Sequence, residues 1–300
     1  MKVGFALPQF HQQAFEVARA AEFARAAESA GAASLWVGDR NLAAVRPSVG
    51  YGGQGTTIPA ELNPAADPFT LLAVAAGATA HVALGSHVLV APLYPPVQLA
   101  RSLTTIDRIS GGRLLPGFGV GWSPEEYEAA GLDFTTRGAR MDETLDALDA
   151  IWTQDPAGYR GNHLSVPLHH APLKPARRPR PPFYLGGQSP RALRRVARRA
   201  DGWLPFCVVP SWLDLDGLER QRAFVDAAAR EAGREPSAID SVLRVNIDAG
   251  TPSDRVADAV RTVGERTGID HVMIDTTYSD EGVDQALERV SRILEGVRRG

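Results

Sequence analysis

Short apolar runs alternate with longer amphipathic stretches along the whole chain. The runs are too short for helices, and the stretches after them carry apolar residues at three- and four-residue spacing, so the pattern predicts strands that are each followed by a helix. The predicted strands lie at residues 2–7, 34–37, 183–185, 202–204, 241–247 and 271–274, with one more on each side of a helix that begins at Pro95-Pro96 and ends at Gly111-Gly112. Further helices are predicted over about 68–79, 141–152, 190–200 and 213–232. Two more are predicted from apolar residues at helical spacing. The first carries Val17, Ala20, Ala21, Ala24 and Ala27 and ends at Gly31, and the last carries Val283, Leu287, Val290, Leu294 and Val297.

Repeated strand-then-helix order predicts an α/β fold with a parallel sheet, and eight such units in 300 residues predict a (β/α)8 TIM barrel. We expect residues 1–300 to form a single domain, with insertion loops after strand 2 (40–67) and before strand 5 (155–182). The structural alternative is a doubly wound open sheet. It is disfavoured because residues 8–11 lack the glycine fingerprint after the first strand, and because Trp122 stands where a later match would need its third glycine.

The loops that follow the strands of such a barrel build its active site. Four of them are conspicuous, at residues 8–14, 40–67, 205–212 and 275–281. The second is long enough to be a lid, although a plain surface insertion is the alternative. Residues 155–182 contain seven prolines and are interpreted as an extended structural insertion.

Composition narrows the class of protein. A hydrophobic content of 44% and a net charge of -3 are typical of an ordinary globular chain, and no basic excess indicates a nucleic-acid partner. No apolar run is long enough for a membrane span, and the first residues predict a strand, not a signal peptide. The single cysteine, Cys207, excludes an internal disulfide and favours a cytoplasmic location.

A glycine pair after strand 5 is the best candidate for anion binding. Gly186 and Gly187 let the backbone approach a ligand closely, Gln188 follows them, and Ser189-Pro190 is typical of the start of a helix. Free N–H groups and the positive end of the helix would favour a phosphate there. The alternative is a plain turn from strand to helix.

Other polar or flexible residues stand at predicted strand ends. Asp39 and Arg40 end strand 2 and are candidates either for binding a ring or for a local ion pair. Gly119-Val120-Gly121-Trp122 ends strand 4, where two glycines would let a planar ring pass the backbone and Trp122 would form a wall. Pro116 lies inside that strand and cannot donate to a ladder, so we expect a bulge.

The sequence contains no motif for metal binding, serine hydrolysis or a Walker-type phosphate site. His169-His170 lacks the spacing of a metal pair, so no metal site is expected, and no serine-hydrolase elbow or Walker loop is present. The arginines of residues 191–199 fall mostly on the outer face of a predicted helix. Glu125, Glu126 and Glu128 follow a predicted helix start, where carboxylates complement the helix dipole.

The amino-acid sequence of these segments resembles that of the luciferase-like monooxygenase family, whose barrels use flavin or the deazaflavin coenzyme F420. WVGDR, VLVAPLYPPVQLARSL, SGGRL, GVGWSPEEYEAAG, RGARMDE and LGGQSP carry the resemblance, which extends from LPQF to DGWLP. It implies that the cofactor phosphate lies at the glycine pair and that Asp39 lies near the ring. It also implies a bulge at Ser86-His87-Val88, with a cis peptide between His87 and Val88 pressed against the ring, although a lone histidine is otherwise most often a satisfied core residue.

The resemblance leaves the catalytic residues unknown. WVGDR with APLYPPV is similar to an actinobacterial branch presumed to use F420. The sugar-phosphate dehydrogenase branch has a histidine and a glutamate where this chain has Arg40 and Trp122, so its proton-handling residues do not carry over. Arg40, His87 and Trp122 remain the weak catalytic candidates. The implied partners are a small-molecule substrate, a second copy of the chain in a homodimer and, for a monooxygenase, a separate reductase.

These observations predict an F420-dependent oxidoreductase that transfers hydride between the reduced deazaflavin and a small organic substrate. One alternative is an FMN-dependent two-component monooxygenase, because FMN shares the tricyclic ring and a phosphate. Another is a deazaflavin- or flavin-binding protein without turnover, because no unambiguous acid or base stands out. The arginines at positions 46, 177, 178 and 180 are candidates for attracting the polyglutamate tail of F420.

Overall fold

The parallel strands follow one another around a ring. The structure, a computed structural model, describes residues 1–53, 55–279 and 282–299. Within them the strands are β1 (Lys2–Ala6), β2 (Ser34–Val37), β3 (Ala83–Ser86), β4 (Leu89–Val90), β5 (Leu114–Leu115), β6 (Gly117–Gly119), β7 (Ala157–Arg160), β8 (Ser165–His169), β9 (Tyr184–Gly186), β10 (Gly202–Leu204), β11 (Phe206–Val209), β12 (Asp240–Ser241), β13 (Leu243–Ile247) and β14 (His271–Asp275).

Helices lie between the strands of the ring. They are α1 (Ala20–Ala30), α2 (Pro68–Ala78), α3 (Pro96–Ile109), α4 (Pro124–Ala129), α5 (Arg137–Thr153), α6 (Pro190–Arg199), α7 (Leu215–Glu231), α8 (Ser253–Thr267) and α9 (Val283–Arg298). Their starts and ends follow local chemistry. Asp67 caps α2 by accepting from the Thr70 amide at 2.7 Å, and Gly31 ends α1 with a φ of 100°, in the left-handed region that suits glycine.

The hydrogen-bond ladders close the barrel. Four of its strands are interrupted, so β3 and β4, β5 and β6, β10 and β11, and β12 and β13 are each two segments of one strand. In chain order the strands pair in parallel from β1 through β2, β3/β4, β5/β6, β9, β10/β11 and β12/β13 to β14, and β14 pairs with β1. The (β/α)8 barrel predicted from the sequence is therefore confirmed.

The strands are interrupted at positions that have identifiable physical reasons. Pro116 separates β5 from β6, as expected of a residue without an N–H, and its carbonyl accepts from the Tyr184 amide at 3.1 Å. Pro205 separates β10 from β11 in the same way. The prediction of a loop over residues 205–212 was thus wrong for its first half, because β11 pairs with β13.

Other corrections concern elements that lie outside the ring. The insertion at 155–182 is not simply extended, since β7 and β8 form an antiparallel hairpin within it. Helix α8 was not predicted between the last two strands. Val17 is exposed, because α1 begins at Ala20 and the residues before it form a 3-10 segment.

Two apolar layers hold the barrel. The larger lies between strands and helices, and a smaller cluster of Trp36, Tyr184, Leu204, Val242 and Met273 fills the inside of the ring. Large side chains fit inside because small ones face them. A Cβ on Gly85 would lie 2.2 Å from a ring carbon of Trp36, so glycine is required there. No helix in the described part of the chain is long and apolar enough to span a bilayer.

Candidate active site at the carboxyl end of the barrel

Val88 lies between two of the predicted glycines. A Cβ on Gly119 would lie 2.5 Å from Val88 Cγ2, and one on Gly186 would lie 3.0 Å from Val88 Cγ1. The peptide between His87 and Val88 is cis, as predicted. The ends of three neighbouring strands therefore meet here around a single apolar side chain, with bare backbone on either side of it.

Ser86 directs its side chain to the next strand of the barrel, whereas His87 directs its ring across the inside of the barrel to a strand that is not its neighbour. The Ser86 hydroxyl donates to the Gly117 carbonyl at 2.9 Å and accepts from the Gly117 amide at 2.8 Å, which joins the end of β3 to β6 directly after the Pro116 break. His87 Nε2 lies 3.2 Å from the Pro205 carbonyl, to which it donates. Burial, together with the nearby charge of Arg244, lowers the pKa of His87 to about 3. His87 is therefore neutral at physiological pH, and its ring is engaged by the backbone that follows β10.

Asp39 is held by the strand and helix start beside it. Its carboxylate accepts from the Val90 amide at 2.8 Å and from the Tyr94 hydroxyl at 2.9 Å. Desolvation raises the pKa of Asp39 to about 7, although both hydrogen bonds oppose that shift. Asp39 is thus a carboxyl group that is divided between two charge states near neutral pH, at the end of β2.

The turn after β9 has the geometry expected of a close backbone approach. Gly187 has a φ of 127°, and a Cβ there would lie 2.5 Å from the Ala192 Cβ. The Ser189 hydroxyl accepts from the Ala192 amide at 3.3 Å and caps α6, while the Gln188 side chain donates to the Phe206 carbonyl. The N-terminal end of α6, with its positive dipole and unsatisfied amides, therefore follows directly on the glycine pair.

Arg40 and Trp122 form a second group at the mouth, after β2 and β6. The Arg40 guanidinium lies over the indole of Trp122, 4.8 Å from the ring centre, and Tyr51 meets the same indole edge-on at 5.6 Å. Tyr278, after β14, lies near Arg40, and burial together with the neighbouring Tyr51 raises the pKa of the Tyr278 hydroxyl. Tyr51 and Tyr278, which were not among the predicted site residues, therefore lie beside Arg40 and Trp122, which were.

Glutamates of α4 fix the start of the loop after β2. Glu126 accepts from the Asn41 amide at 2.8 Å, and Glu125 accepts from the Ser48 amide and hydroxyl at 2.6 and 2.7 Å. These hydrogen bonds lower the pKa of Glu125 to about 2. The acidic residues at this helix start therefore hold the loop that carries Arg40 and Tyr51.

A buried ion pair below the mouth was missed from the sequence. Arg244 donates to the His87 carbonyl at 3.0 Å and to Asn246 at 2.9 Å, and it pairs with Asp275. Burial opposes ionisation of both partners, but their mutual attraction lowers the pKa of Asp275 and raises that of Arg244. The available signal was a set of polar residues in otherwise apolar strands, with Arg244 and Asn246 inside β13 and Asp275 at the carboxyl end of β14.

The predicted site residues therefore form two groups. Val88, Gly119 and Gly186 meet directly, with the Gly187 turn next along the chain, while Arg40 and Trp122 stack on each other. Val120 and Gly121 follow β6 at the same end, and Gly121 has a φ of 69°. Part of the predicted 275–281 loop, residues 280–281, lies outside the described residues. Within the parts of the chain that the structure describes, no three histidine, cysteine or acidic side chains are grouped to hold a metal.

Comparison with known proteins identifies the class. The model of the luciferase-like monooxygenase family matches residues 1–295, so the chain belongs to that family. A curated relative is the phthiodiolone/phenolphthiodiolone dimycocerosates ketoreductase of Mycobacterium tuberculosis, which is 32% identical over 240 residues. The match covers 78% of this chain but 61% of the relative, so the chain spans about three fifths of the length of the curated relatives it matches.

Solved structures support the fold. Monooxygenase RslO1 from Streptomyces bottropensis superposes with a TM-score of 0.80 at 18% identity, covering 100% of this chain and 99% of that one. A coenzyme F420-dependent tetrahydromethanopterin reductase from Methanopyrus kandleri superposes with a TM-score of 0.74 at 16% identity, over 99% and 98%. The FMN complex of a type II Baeyer-Villiger monooxygenase from Pseudomonas putida gives 0.73 at 16% identity, over 99% and 98%. Proteins described as F420-dependent and as FMN complexes are therefore among the solved structures that share this fold.

Proposed function

We propose that this protein is an F420-dependent oxidoreductase that transfers hydride between the reduced deazaflavin and a small organic substrate. The observation that carries the proposal is the apolar platform at partly buried Val88, whose methyl groups lie directly against the backbone of Gly119 and Gly186 because those glycines have no side chains. A flat tricyclic ring needs such a surface. The deazaflavin, when bound, supplies the hydride, and the protein supplies binding, orientation and electrostatics.

The chain has residues suited to both ends of the cofactor. Gly186, Gly187, Gln188 and Ser189 would bind its phosphate through backbone amides at the start of α6. Asp39 would hydrogen-bond the ring from beside the platform, and Val120, Gly121 and Trp122 would line the other side of the mouth. The side chains of Ser86 and His87 would support the ring from behind, since both are already engaged by backbone groups of the barrel strands.

Reduction by F420 is favoured over oxygenation for two reasons. The curated relative is named as a ketoreductase, an enzyme that adds hydride to a carbonyl. In addition, exposed Arg46 lies in the loop after β2, where it would attract the negatively charged tail that F420 has and FMN lacks. An FMN-dependent two-component monooxygenase is the second candidate, favoured by the monooxygenases that share the fold. A cofactor-binding protein without turnover is the third, because His87 is neutral and engaged and Arg40 is a poor proton exchanger.

Titration of the purified protein with F420 and with FMN tests the proposal. We expect tighter binding of F420 at low salt, with a preference that shrinks as salt screens the tail. Gly187→Val should weaken cofactor binding about ten-fold or more, about 1.4 kcal/mol, because its Cβ would collide with Ala192 and displace the turn. Gly77→Val is the matched control, since a Cβ on that exposed glycine of α2 meets nothing within 4 Å.

The outcomes separate the three candidates. Micromolar binding of FMN without detectable binding of F420 would contradict the proposal, and oxygen consumption with reduced FMN would then support the monooxygenase. Binding of F420 without hydride transfer to any carbonyl substrate would support the binding protein. Equal cofactor affinity of the Gly187→Val and Gly77→Val variants would remove the phosphate site from the glycine turn.

We also propose that residues 1–300 act as one domain, that the enzyme is cytoplasmic and that it forms a homodimer. The single, buried Cys207 supports the location, since a reducing compartment needs no disulfides. Light scattering after size-exclusion chromatography measures the oligomeric state. A mass of one chain, 32.1 kDa, would contradict the dimer.

A further inference from the structure

Two polar side chains at the barrel mouth contain buried donors that no protein group accepts. They are Nε and Nη2 of Arg40 and the hydroxyl of Tyr278. Both residues are neighbours of Tyr51, which also contacts Trp122. Buried polar groups are almost always hydrogen-bonded, so unused donors from two different strand ends at one place indicate a missing acceptor.

The surrounding carboxylates do not supply that acceptor. Glu125 is engaged by Ser48, and Glu126 by the Asn41 amide. Of the carboxylates in the described ranges, none lies within ion-pair distance of Arg40. Trp122 offers only the face of its ring, which attracts the positive charge but leaves the N–H groups at the edge of the guanidinium free.

The unused atoms of Arg40 form the edge that binds carboxylates side-on. Nε and Nη2 point in the same direction and match the two oxygens of one carboxylate. The same edge does this elsewhere in the chain. Arg195 donates from Nε to Asp142 Oδ1 at 2.6 Å and from Nη2 to Oδ2 at 3.1 Å, and Arg19 binds Glu22 in the same manner.

We propose that Arg40 binds a carboxylate group of the substrate side-on, with the Tyr278 hydroxyl as a further donor. This inference rests on the proposed function in one respect, namely that a substrate enters at this mouth beside the cofactor. The carboxylate anchors the substrate and does not itself react. Arg40 keeps its proton and serves as a binding residue, so the reacting carbon would be another part of the same molecule.

Binding of small acids to the cofactor-free protein tests the proposal without any turnover. Acetate, benzoate and phenylacetate are compared with acetamide, benzamide and phenylacetamide by calorimetry and by the quenching of tryptophan fluorescence. We expect at least one acid to bind ten-fold or more tightly than its amide, since only the acid offers two charged oxygens. Arg40→Met should abolish that preference, and Arg40→Lys should retain part of it because lysine keeps the charge but not the fork. Tyr278→Phe should lower acid affinity about three-fold, or about 0.6 kcal/mol.

A charge-matched control and a separate cofactor measurement make the result decisive. Arg101→Met removes an exposed arginine from α3 and should leave acid binding unchanged. The proposal is overturned if none of the three acids binds better than its amide, or if Arg40→Met binds the acids as the native protein does. Failure of F420 to bind would contradict the proposed function alone, because the acid measurement contains no cofactor.

Discussion

Asp39 illustrates how one residue at the mouth balances two opposing effects. Desolvation favours its neutral form, whereas donation from the Val90 amide and the Tyr94 hydroxyl favours its charged form, and desolvation is the larger effect. The folded-state pKa is therefore about 7, against a reference value of 3.8. Near neutral pH the protein has both a hydrogen-bond donor and an acceptor available at this position.

The raised pKa of Asp39 has a consequence for stability. Between the two pKa values the folded protein keeps a proton that the unfolded chain has lost, so the free energy of unfolding falls as pH rises through this range. We expect Asp39→Asn, which cannot ionise, to be more stable than the native protein by about 2 kcal/mol near pH 8, a value that allows for partial exposure. The difference should vanish toward about pH 4. Chemical denaturation at both pH values measures it, with Glu128→Gln as an exposed control, and an equal difference at both would contradict the prediction.

Sequence motifs located residues that lie at the barrel mouth, and the part of these residues in ligand binding stays a prediction. The glycines beside Val88 and the Arg40–Trp122 stack come from strand ends that the alternating pattern had already located. Tyr278 and Arg244 belong to no recognisable motif. Single polar residues of this kind form a site only when the fold brings distant strands together. Arg244 donates to the carbonyl of His87, a residue that lies 157 positions away in the sequence.

At the scale of elements, α4 controls the loop after β2. The tip of that loop, among residues 52–57, is exposed wherever the structure describes it, while the flanking Ser48 is held by Glu125 and Gln9 bridges the two ends by donating to Gly38 and Ala66 at 3.0 Å. The loop is thus anchored at both ends, and within the described residues its exposed tip is held only by backbone hydrogen bonds such as those from Gly50 to Gly55 and from Tyr51 to Thr57. A lid that closes over bound ligands needs this combination.

Hydrogen exchange tests the lid. We expect amides in the loop tip to exchange more slowly when F420 is bound, and Glu125→Gln to accelerate exchange around Ser48 in the ligand-free protein because it weakens two hydrogen bonds. Glu128→Gln, in the same helix but exposed, serves as the control. Identical exchange with and without the cofactor would contradict the lid, and identical exchange in the two variants would contradict the anchor.

Most elements with strong apolar periodicity were predicted to within a few residues, although α8, which buries Val256, Val260 and Val263, was missed. The strand at Ser34–Val37 and the helix from Pro96 match because burial and proline position leave little choice. The hairpin of β7 and β8 was missed because its strands alternate weakly and mostly face solvent. Pairing between β11 and β13 was missed as well, since a short segment after Pro205 becomes a strand only when the barrel supplies its neighbour.

At the scale of the whole molecule, ring closure depends on polar groups at the amino end of the barrel as well as on apolar packing. His271 of β14 lies 2.7 Å from the Ser34 hydroxyl of β2, which also accepts from Trp36 Nε1 at 2.7 Å. Burial keeps His271 neutral, and its hydrogen bond with the Ser34 hydroxyl links two strands on either side of β1.

Acid should loosen this link. Burial lowers the pKa of His271 to about 4, so below its reference value of 6.5 the unfolded chain takes up a proton that the folded barrel refuses. The free energy of unfolding should fall as pH drops through this window, by on the order of 3 kcal/mol for His271, with a further loss from His87, whose pKa is lowered to about 3. His271→Gln keeps an acceptor for the Ser34 hydroxyl but cannot titrate, so its stability should fall less over the same range. Denaturation midpoints measured from about pH 7 to about pH 4 test this, with exposed His81→Gln as the control, and parallel curves for the native protein and His271→Gln would contradict the assignment.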